Sequence, residues 1–243
     1  MLGEQTEQPF SATEETLKIA KESGLEDIIK EVSNEQNIHD QNTLFDIPIP
    51  LESIEEDKSQ ITVDESIKGP LNELLEIIKD KEKGKEYPFL LTGSLKDENA
   101  MIKDMKFTFN IQYLKNNFAE INPELLQEGI QNGVNNNYDT YIICHTHPNI
   151  PDEEKQKMLA SKISPQLREK FGIKEAGLNL SLQDLRQLVA FNYRLKDKLP
   201  PSATVCMAVL MYDRTFEAVY IEDGKFKRRQ VNYTNNSNIQ TFI

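Results

Sequence analysis

The spacing of hydrophobic positions changes several times along this chain, and each change predicts a different element. From Pro70 to Lys79 apolar residues recur every three or four positions, behind a proline that suits a first helical turn. The same spacing follows an Asn-Pro start in Asn122–Asn132 and dominates Ser181–Leu195, so both are predicted helices. Apolar or alternating runs predict strands at Phe89–Leu91, Lys106–Ile111, Tyr138–Cys144, Thr204–Tyr212 and Thr215–Ile221.

This order of elements predicts an α/β (α+β) fold. Helix, strands, helix, strand, helix and a terminal hairpin follow one another, which is typical of a mixed sheet with helices on its faces. Gly93 is expected to end the first strand, and Asp213–Arg214 to turn the hairpin. A chain of 243 residues is long enough for one such domain, which we assign to residues 67–243.

Residues 1–66 differ in composition and are expected to be an acidic, mostly disordered tail. They hold 17 acidic and 4 basic residues, whereas the remainder holds 23 acidic and 24 basic residues. Few aromatic and many polar residues leave little apolar area to offset the entropy of ordering the chain. Within the tail, Ser11–Val32 has a loose amphipathic pattern broken at Gly24, which indicates a marginal helix, and the prolines of Asp46–Pro50 indicate extended chain.

Composition also argues against several classes of protein. No apolar run approaches the roughly 18–20 residues that span a bilayer, and residues 1–10 lack the pattern of a Sec signal peptide. The basic cluster Lys225–Arg229 lacks aromatic stacking partners, so a solvated strand end is expected there rather than nucleic-acid binding.

The two cysteines bear on the compartment. Cys144 and Cys206 lie in apolar, strand-like runs, which favours buried core thiols over a disulfide framework and a reducing compartment over an oxidising one. The expected location is the cytoplasm or, because the Asn-, Lys- and Ile-rich composition is typical of AT-rich bacterial genomes, a host cytosol reached by a delivered effector.

Two of the three histidines stand together as His145-Thr146-His147-Pro148. Side chains two apart on a strand share a face, so both imidazoles can point at one spot, and Pro148 places that spot where strand pairing stops. Such a pair suits Zn²⁺, which needs a third protein ligand and an open position if it is catalytic. Two solvated histidines on a surface strand explain the pair equally well, and His39 in the tail is expected to be solvated.

A third ligand has a candidate in Ser181-Leu182-Gln183-Asp184, at the start of the strongest predicted helix. The simplest interpretation is a capping box, in which Ser181 caps the helix and Asp184 reaches back to it. A carboxylate at that position could also reach a metal held above a neighbouring strand.

Together these residues resemble the signature of the JAMM (MPN-plus, Mov34 or JAB) metalloprotease family: an upstream Glu, then His-x-His-Pro, then Ser-x-x-Asp. Glu86, seven residues before Gly93 and after the first helix, stands where the family has its glutamate. The similarity covers about Leu71 to Asp223 and implies a JAMM/cytidine-deaminase-like core. It also implies Zn²⁺ bound by His145, His147 and Asp184.

The resemblance implies an isopeptidase that removes ubiquitin or a ubiquitin-like modifier from conjugates. Glu86 would accept a proton from the attacking water and pass it to the leaving amine, and Ser181 would donate a hydrogen bond to the oxyanion. Two other functions stay open: a catalytically inactive scaffold or binding module, and a metallohydrolase that acts on a small-molecule amide.

Two departures from the family pattern leave alternatives for the site. The 32 residues of 149–180 stand where about seven are usual, which implies an insertion and makes Asp152, Glu153 and Glu154 rival metal ligands. Tyr87-Pro88 after Glu86 leaves Glu82 as a rival catalytic carboxylate. Cys144 is expected to face away from the histidines as a core residue.

Overall fold

A computed structural model describes residues 10–35, 44–81, 85–96, 99–107, 114–115, 118–119 and 122–233. Over these residues it has seven α-helices: α1 Ala12–Glu22, α2 Glu26–Glu35, α3 Glu65–Lys79, α4 Pro123–Asn135, α5 Asp152–Lys162, α6 Pro165–Phe171 and α7 Leu182–Leu195. None of these described helices is both long and apolar enough to cross a membrane.

Twelve strands are described in the same ranges: β1 Pro48–Ile49, β2 Glu55–Glu56, β3 Ile61–Val63, β4 Phe89–Lys96, β5 Asn99–Phe107, β6 Leu114–Lys115, β7 Phe118–Ala119, β8 Thr140–His147, β9 Leu180–Ser181, β10 Thr204–Met211, β11 Phe216–Glu222 and β12 Lys225–Asn232. The main sheet runs β11-β10-β8-β4-β5-β3-β12-β2, and β11 also pairs with β12. Seven strands therefore close into a barrel, which the strand pattern did not predict because a closing pair joins segments far apart in sequence.

The predicted mixed α+β class is confirmed by how the strands pair. β8 runs parallel to β10 and antiparallel to β4, and β10 forms the predicted hairpin with β11. Alternate strand residues enter two hydrophobic clusters, because successive side chains of a strand point to opposite faces. One cluster packs against α1, α2 and α7, and the other packs against α3.

The expectation of a mostly disordered tail is wrong for residues 10–35 and 44–66. Twelve hydrophobic residues of these ranges are buried, among them Leu25, Val32 and Ile49 at 0% exposure. They are too few to form a core by themselves, but ten of them enter the cluster to which α7, β10 and β12 contribute, and Ile61 and Val63 enter the other cluster. The predicted break between two helical segments is present at Gly24, whose φ of +79° favours glycine.

The acidic residues of this N-terminal segment neutralise the basic strand end. Asp57 accepts a hydrogen bond from Arg229 Nε at 2.7 Å, and Arg228 forms ion pairs with Glu56 and Glu217. The residues of Lys225–Arg229 that were expected to be solvated are therefore mostly paired with carboxylates.

Three element boundaries differ from the sequence-based expectations. Helix α3 begins at Glu65 behind an Asp64 cap, so Pro70 lies inside the helix and not at its first position. Strand β4 continues past Gly93 through a β-bulge. A Cβ atom added at Gly93 would lie 2.1 Å from the Met101 carbonyl oxygen, so only glycine fits there. Strand β5 covers Lys106 and Phe107, whereas residues 108–111 lie outside the described ranges.

The 149–180 segment folds into α5, α6 and a loop that returns to β9. It contacts the N-terminal segment through ion pairs of Lys170 with Glu31 and of Lys174 with Glu52. β9 then pairs with β1, with Pro48 opposite Ser181. The N-terminal segment and the 149–180 segment thus contact each other beside the start of α7.

Candidate metal centre

The paired histidines lie at the carboxyl end of β8. Every residue of the strand up to Thr146 is buried, because β4 and β10 flank it and hydrophobic clusters cover both of its faces. His145 and His147 share the face that packs toward α7, as their spacing predicted. The strand ends at Pro148, which has no N–H to continue a ladder.

Asp184 stands in the first turn of α7 and reaches the same place. The capping box that the sequence predicted is present: the Ser181 amide and hydroxyl both donate to Asp184 Oδ2 at 2.7 Å, and Ser181 Oγ accepts from the Asp184 amide. The other carboxylate oxygen, Oδ1, lies 3.3 Å from His145 Nε2. Asp184 therefore caps its helix with one oxygen and faces a histidine with the other.

The three side chains form a group that could hold a metal ion. Their ligand atoms all lie within 4.8 Å of one another. The two Nε2 atoms are 3.2 Å apart, and His145 Nε2 is 3.3 Å from Asp184 Oδ1. A tetrahedral site with metal–nitrogen bonds of about 2.0–2.1 Å has ligand–ligand edges of about 3.3–3.4 Å, so two of the three spacings already suit such a site.

The protonation states also suit a cation. Burial lowers the pKa of His145 below its ordinary value, against the opposing effect of the Asp184 charge. Burial, together with His145, lowers the pKa of His147 as well, although Glu86, Asp184 and the backbone of Asn179 act in the opposite direction. Both imidazoles are therefore neutral at neutral pH, which is the state that binds metals.

The second ring nitrogen of His147, Nδ1, also bears on metal binding. Nδ1 is buried beside the Asn179 backbone, without a well-directed hydrogen bond. A histidine that binds a metal through Nε2 carries its proton on Nδ1 and usually donates it to a carbonyl or carboxylate. No sequence pattern pointed to Asn179, because its backbone is brought to His147 only by the loop after α6.

Glu86 is brought beside the same group by strand register. Phe89 pairs with Cys144 in the β4–β8 ladder, and continuing that register places Tyr87 opposite Thr146 and Glu86 opposite His147. Residues directly opposite in an antiparallel pair have Cβ atoms about 4.5–5.5 Å apart. Glu86 is half-buried, and its charge raises the pKa of His147.

The rival ligands lie elsewhere or outside the described residues. Asp152 is exposed and forms an ion pair with Lys81, and Glu153 and Glu154 are exposed on α5. Cys144 and Cys206 belong to the cluster on the opposite sheet face, and burial raises the pKa of both thiols. Glu82 and His39 lie outside the described ranges.

No family model matches the chain, and no curated protein matches its sequence significantly.

Proposed function

We propose that this protein is a zinc metalloprotease of the JAMM type that hydrolyses isopeptide or peptide bonds, with ubiquitin or ubiquitin-like conjugates as its substrates. One observation carries the proposal: the ligand atoms of His145, His147 and Asp184 lie within 4.8 Å of one another, and strand register brings Glu86, about 100 residues before Asp184, beside His147. These are the four residues that the family signature picks out of the sequence.

The donor set favours zinc among the metals. Two neutral imidazoles and one carboxylate are ligands that Zn²⁺ accepts, and three protein ligands are the number in its catalytic sites. Zinc bound there would act as a Lewis acid and lower the pKa of water from about 16 to about 7.

Glu86 is proposed as the group that accepts and returns the proton. Glu86 is half-buried on the sheet face that carries His147. It lies beside the histidine pair but is not one of the three residues that could bind the metal. A base so placed can take a proton from an attacking water and give it to the leaving amine. Such general acid–base catalysis typically contributes about 10²–10⁴-fold to the rate.

The hydrogen bonds of Ser181 indicate a role other than the oxyanion donor that the family resemblance implies. Its hydroxyl proton is donated to Asp184 Oδ2, because a carboxylate can only accept. We propose that Ser181 orients the Asp184 ligand, and that donation to an oxyanion requires its hydroxyl to rotate away from Asp184.

The finer fold assignment, a JAMM/cytidine-deaminase-like core, rests on the same elements. A central strand ends in the histidine pair, the following crossover returns as a helix whose first turn carries Asp184, and that helix packs on the sheet face of the histidines. Burial of the His145 and Asp184 side chains, which are 7% and 8% exposed, favours the small-molecule amide hydrolase as the second candidate.

The test measures zinc content and hydrolysis together. We expect about one zinc per chain in protein purified without chelators, and cleavage of ubiquitin dimers or fluorogenic ubiquitin conjugates. Glu86→Gln should keep the zinc and lose at least 100-fold in kcat, while the exposed control Glu153→Gln keeps both. Protein that holds no zinc refutes the proposal, and zinc-bound protein that cleaves only small amides replaces it with the second candidate.

A further inference from the structure

We propose that Thr146 is a positioning residue, whose hydroxyl fixes the chain at Tyr87 and thereby holds Glu86 beside His147. This inference rests on the proposed role of Glu86 as the proton-transfer group. Thr146 lies between the two histidines but points to the other face of β8, so it is not itself a ligand.

Two hydrogen bonds join Thr146 to Tyr87. The Thr146 amide donates to the Tyr87 carbonyl at 3.2 Å, and the Tyr87 amide donates to Thr146 Oγ1 at 2.9 Å. In a regular antiparallel pair the second bond would end on the backbone carbonyl of the opposite residue. Here the threonine hydroxyl replaces that carbonyl as the acceptor. The Thr146 side chain therefore supplies one of the two hydrogen bonds in the last residue pair before Glu86.

Pro88 does not interrupt this pairing. It separates Tyr87 from the first residue of β4, and it has no amide to bond. Hydrogen-bonded and non-hydrogen-bonded pairs alternate along an antiparallel ladder. Pro88 lies opposite His145 in a non-hydrogen-bonded pair, so its missing amide proton leaves no gap in the ladder. The Tyr87–Thr146 pair is therefore the hydrogen-bonded pair next to Glu86, two residues before the Phe89–Cys144 pair.

The pair is buried as well as bonded. Thr146 is 0% exposed and the Tyr87 side chain is 9% exposed within the cluster that packs on α3. Loss of the hydroxyl in such a place removes a buried acceptor of the Tyr87 amide proton, and water has little access to replace it. Thr146→Val exchanges the hydroxyl for a methyl group of similar size and should let the Tyr87 segment shift.

A shift of the general base should appear in turnover and not in metal binding. Displacement of a catalytic group by about 1 Å can cost on the order of 100-fold. We expect Thr146→Val to lower kcat about 10- to 100-fold with zinc content unchanged. Thr146→Ser keeps the hydroxyl and should retain most of the wild-type kcat. Thr140→Val is the matched control, because Thr140 is a buried threonine at the far end of the same strand.

A double variant separates positioning from a general structural role. If Thr146 acts through Glu86, Thr146→Val adds less than threefold to the loss caused by Glu86→Gln. Multiplication of the two losses, or a zinc content that falls with Thr146→Val, overturns the inference.

Amide hydrogen exchange tests the inference without any substrate. Exchange at the Tyr87 amide should be at least tenfold faster in Thr146→Val than in the wild type or Thr146→Ser, with exchange at Leu91 in the middle of β4 unchanged. Unchanged Tyr87 exchange overturns the inference, whatever the activity. Faster exchange in a protein that hydrolyses nothing upholds the hydrogen bond as the anchor of the Glu86 segment and refutes only the proposed function.

Discussion

Ser181 and Asp184 hold each other in place at the start of α7, through hydrogen bonds that run in both directions. The capping interpretation and the metal-ligand interpretation of this motif are therefore compatible. Asp184 Oδ2 satisfies the helix start, while Oδ1 faces His145 at 3.3 Å. A helix cap fixes the rotamer of the carboxylate, so the proposed ligand is oriented before any cation binds.

Ser181→Ala should therefore lower both stability and metal affinity. Loss of an N-cap costs about 0.5–2 kcal/mol in the free energy of unfolding. Loss of a group that orients a ligand typically costs about 10- to 100-fold in metal affinity. Urea denaturation and competitive zinc titration measure the two effects.

The matched control is Ser164→Ala, because Ser164 caps α6 in the same way through the Leu167 amide. This variant should lose stability without losing zinc affinity. Equal zinc affinity for Ser181→Ala and the wild type would contradict the orienting role.

The metal-free protein should lose stability as the solution is acidified below about pH 6.5. Burial lowers the pKa of His145 and His147 in the folded state, against an ordinary value of 6.5. Between 6.5 and the lowered values, the unfolded chain binds protons that the folded chain does not, so the free energy of unfolding falls with falling pH. Urea denaturation with chelator at pH 7.5, 6.5 and 5.5 measures this slope.

The double variant His145→Gln, His147→Gln is the control for this pH dependence. It should flatten the slope between pH 7.5 and 5.5, because the two groups that titrate differently in the folded and unfolded chains are gone. A slope equal to that of the wild type would assign the acid sensitivity to other groups.

Asp57→Asn should destabilise the protein by about 1–3 kcal/mol, because hydrogen bonds to charged groups contribute about 1.5–3 kcal/mol. Burial alone would raise the pKa of Asp57, but hydrogen bonds from Tyr220, Ser59 and Arg229 outweigh it and hold the pKa well below its usual range. The carboxylate fastens the N-terminal segment to β11 and β12. Its stabilising effect is present above pH 3.8 and is lost as the pH falls below that value.

Glu55→Gln is the control for Asp57. Glu55 lies 4.0 Å from Lys227 and its side chain is 63% exposed, so the change should stay within about 0.5 kcal/mol. Chemical denaturation of both variants at pH 7 makes the comparison. Similar stabilities for the two would show that the N-terminal segment is held by its apolar residues alone.

Gly93→Ala should be strongly destabilising, by more than about 3 kcal/mol, since its Cβ would meet the Met101 carbonyl oxygen at 2.1 Å. Gly69→Ala in α3 should instead stabilise by up to about 1 kcal/mol, because nothing lies within 4 Å of its Cβ position and alanine favours helix. Thermal denaturation of the two variants gives the sign of each change. A Gly93→Ala protein as stable as the wild type would contradict the bulge.

Local patterns in the sequence predicted several of the longer helices and strands and the residues of the candidate metal centre. The periodicity of Ser181–Leu195 predicted α7, and the His-Thr-His spacing placed both imidazoles on one strand face, because these features depend on residues within one or two turns. The Ser181–Asp184 box is local in the same sense, and it is present as predicted.

Only the tertiary structure decided which distant groups meet. Closure of the barrel by β11 and β12, burial of the N-terminal segment, and the choice of Asp184 over Asp152 depend on contacts between residues far apart along the chain. Residues 10–35 and 44–66 look unable to fold because composition counts only their own apolar side chains, whereas other elements such as α7 and β12 supply the surface that buries them. The free energy of this packing comes from contacts between segments, so the sequence of one segment alone does not reveal it.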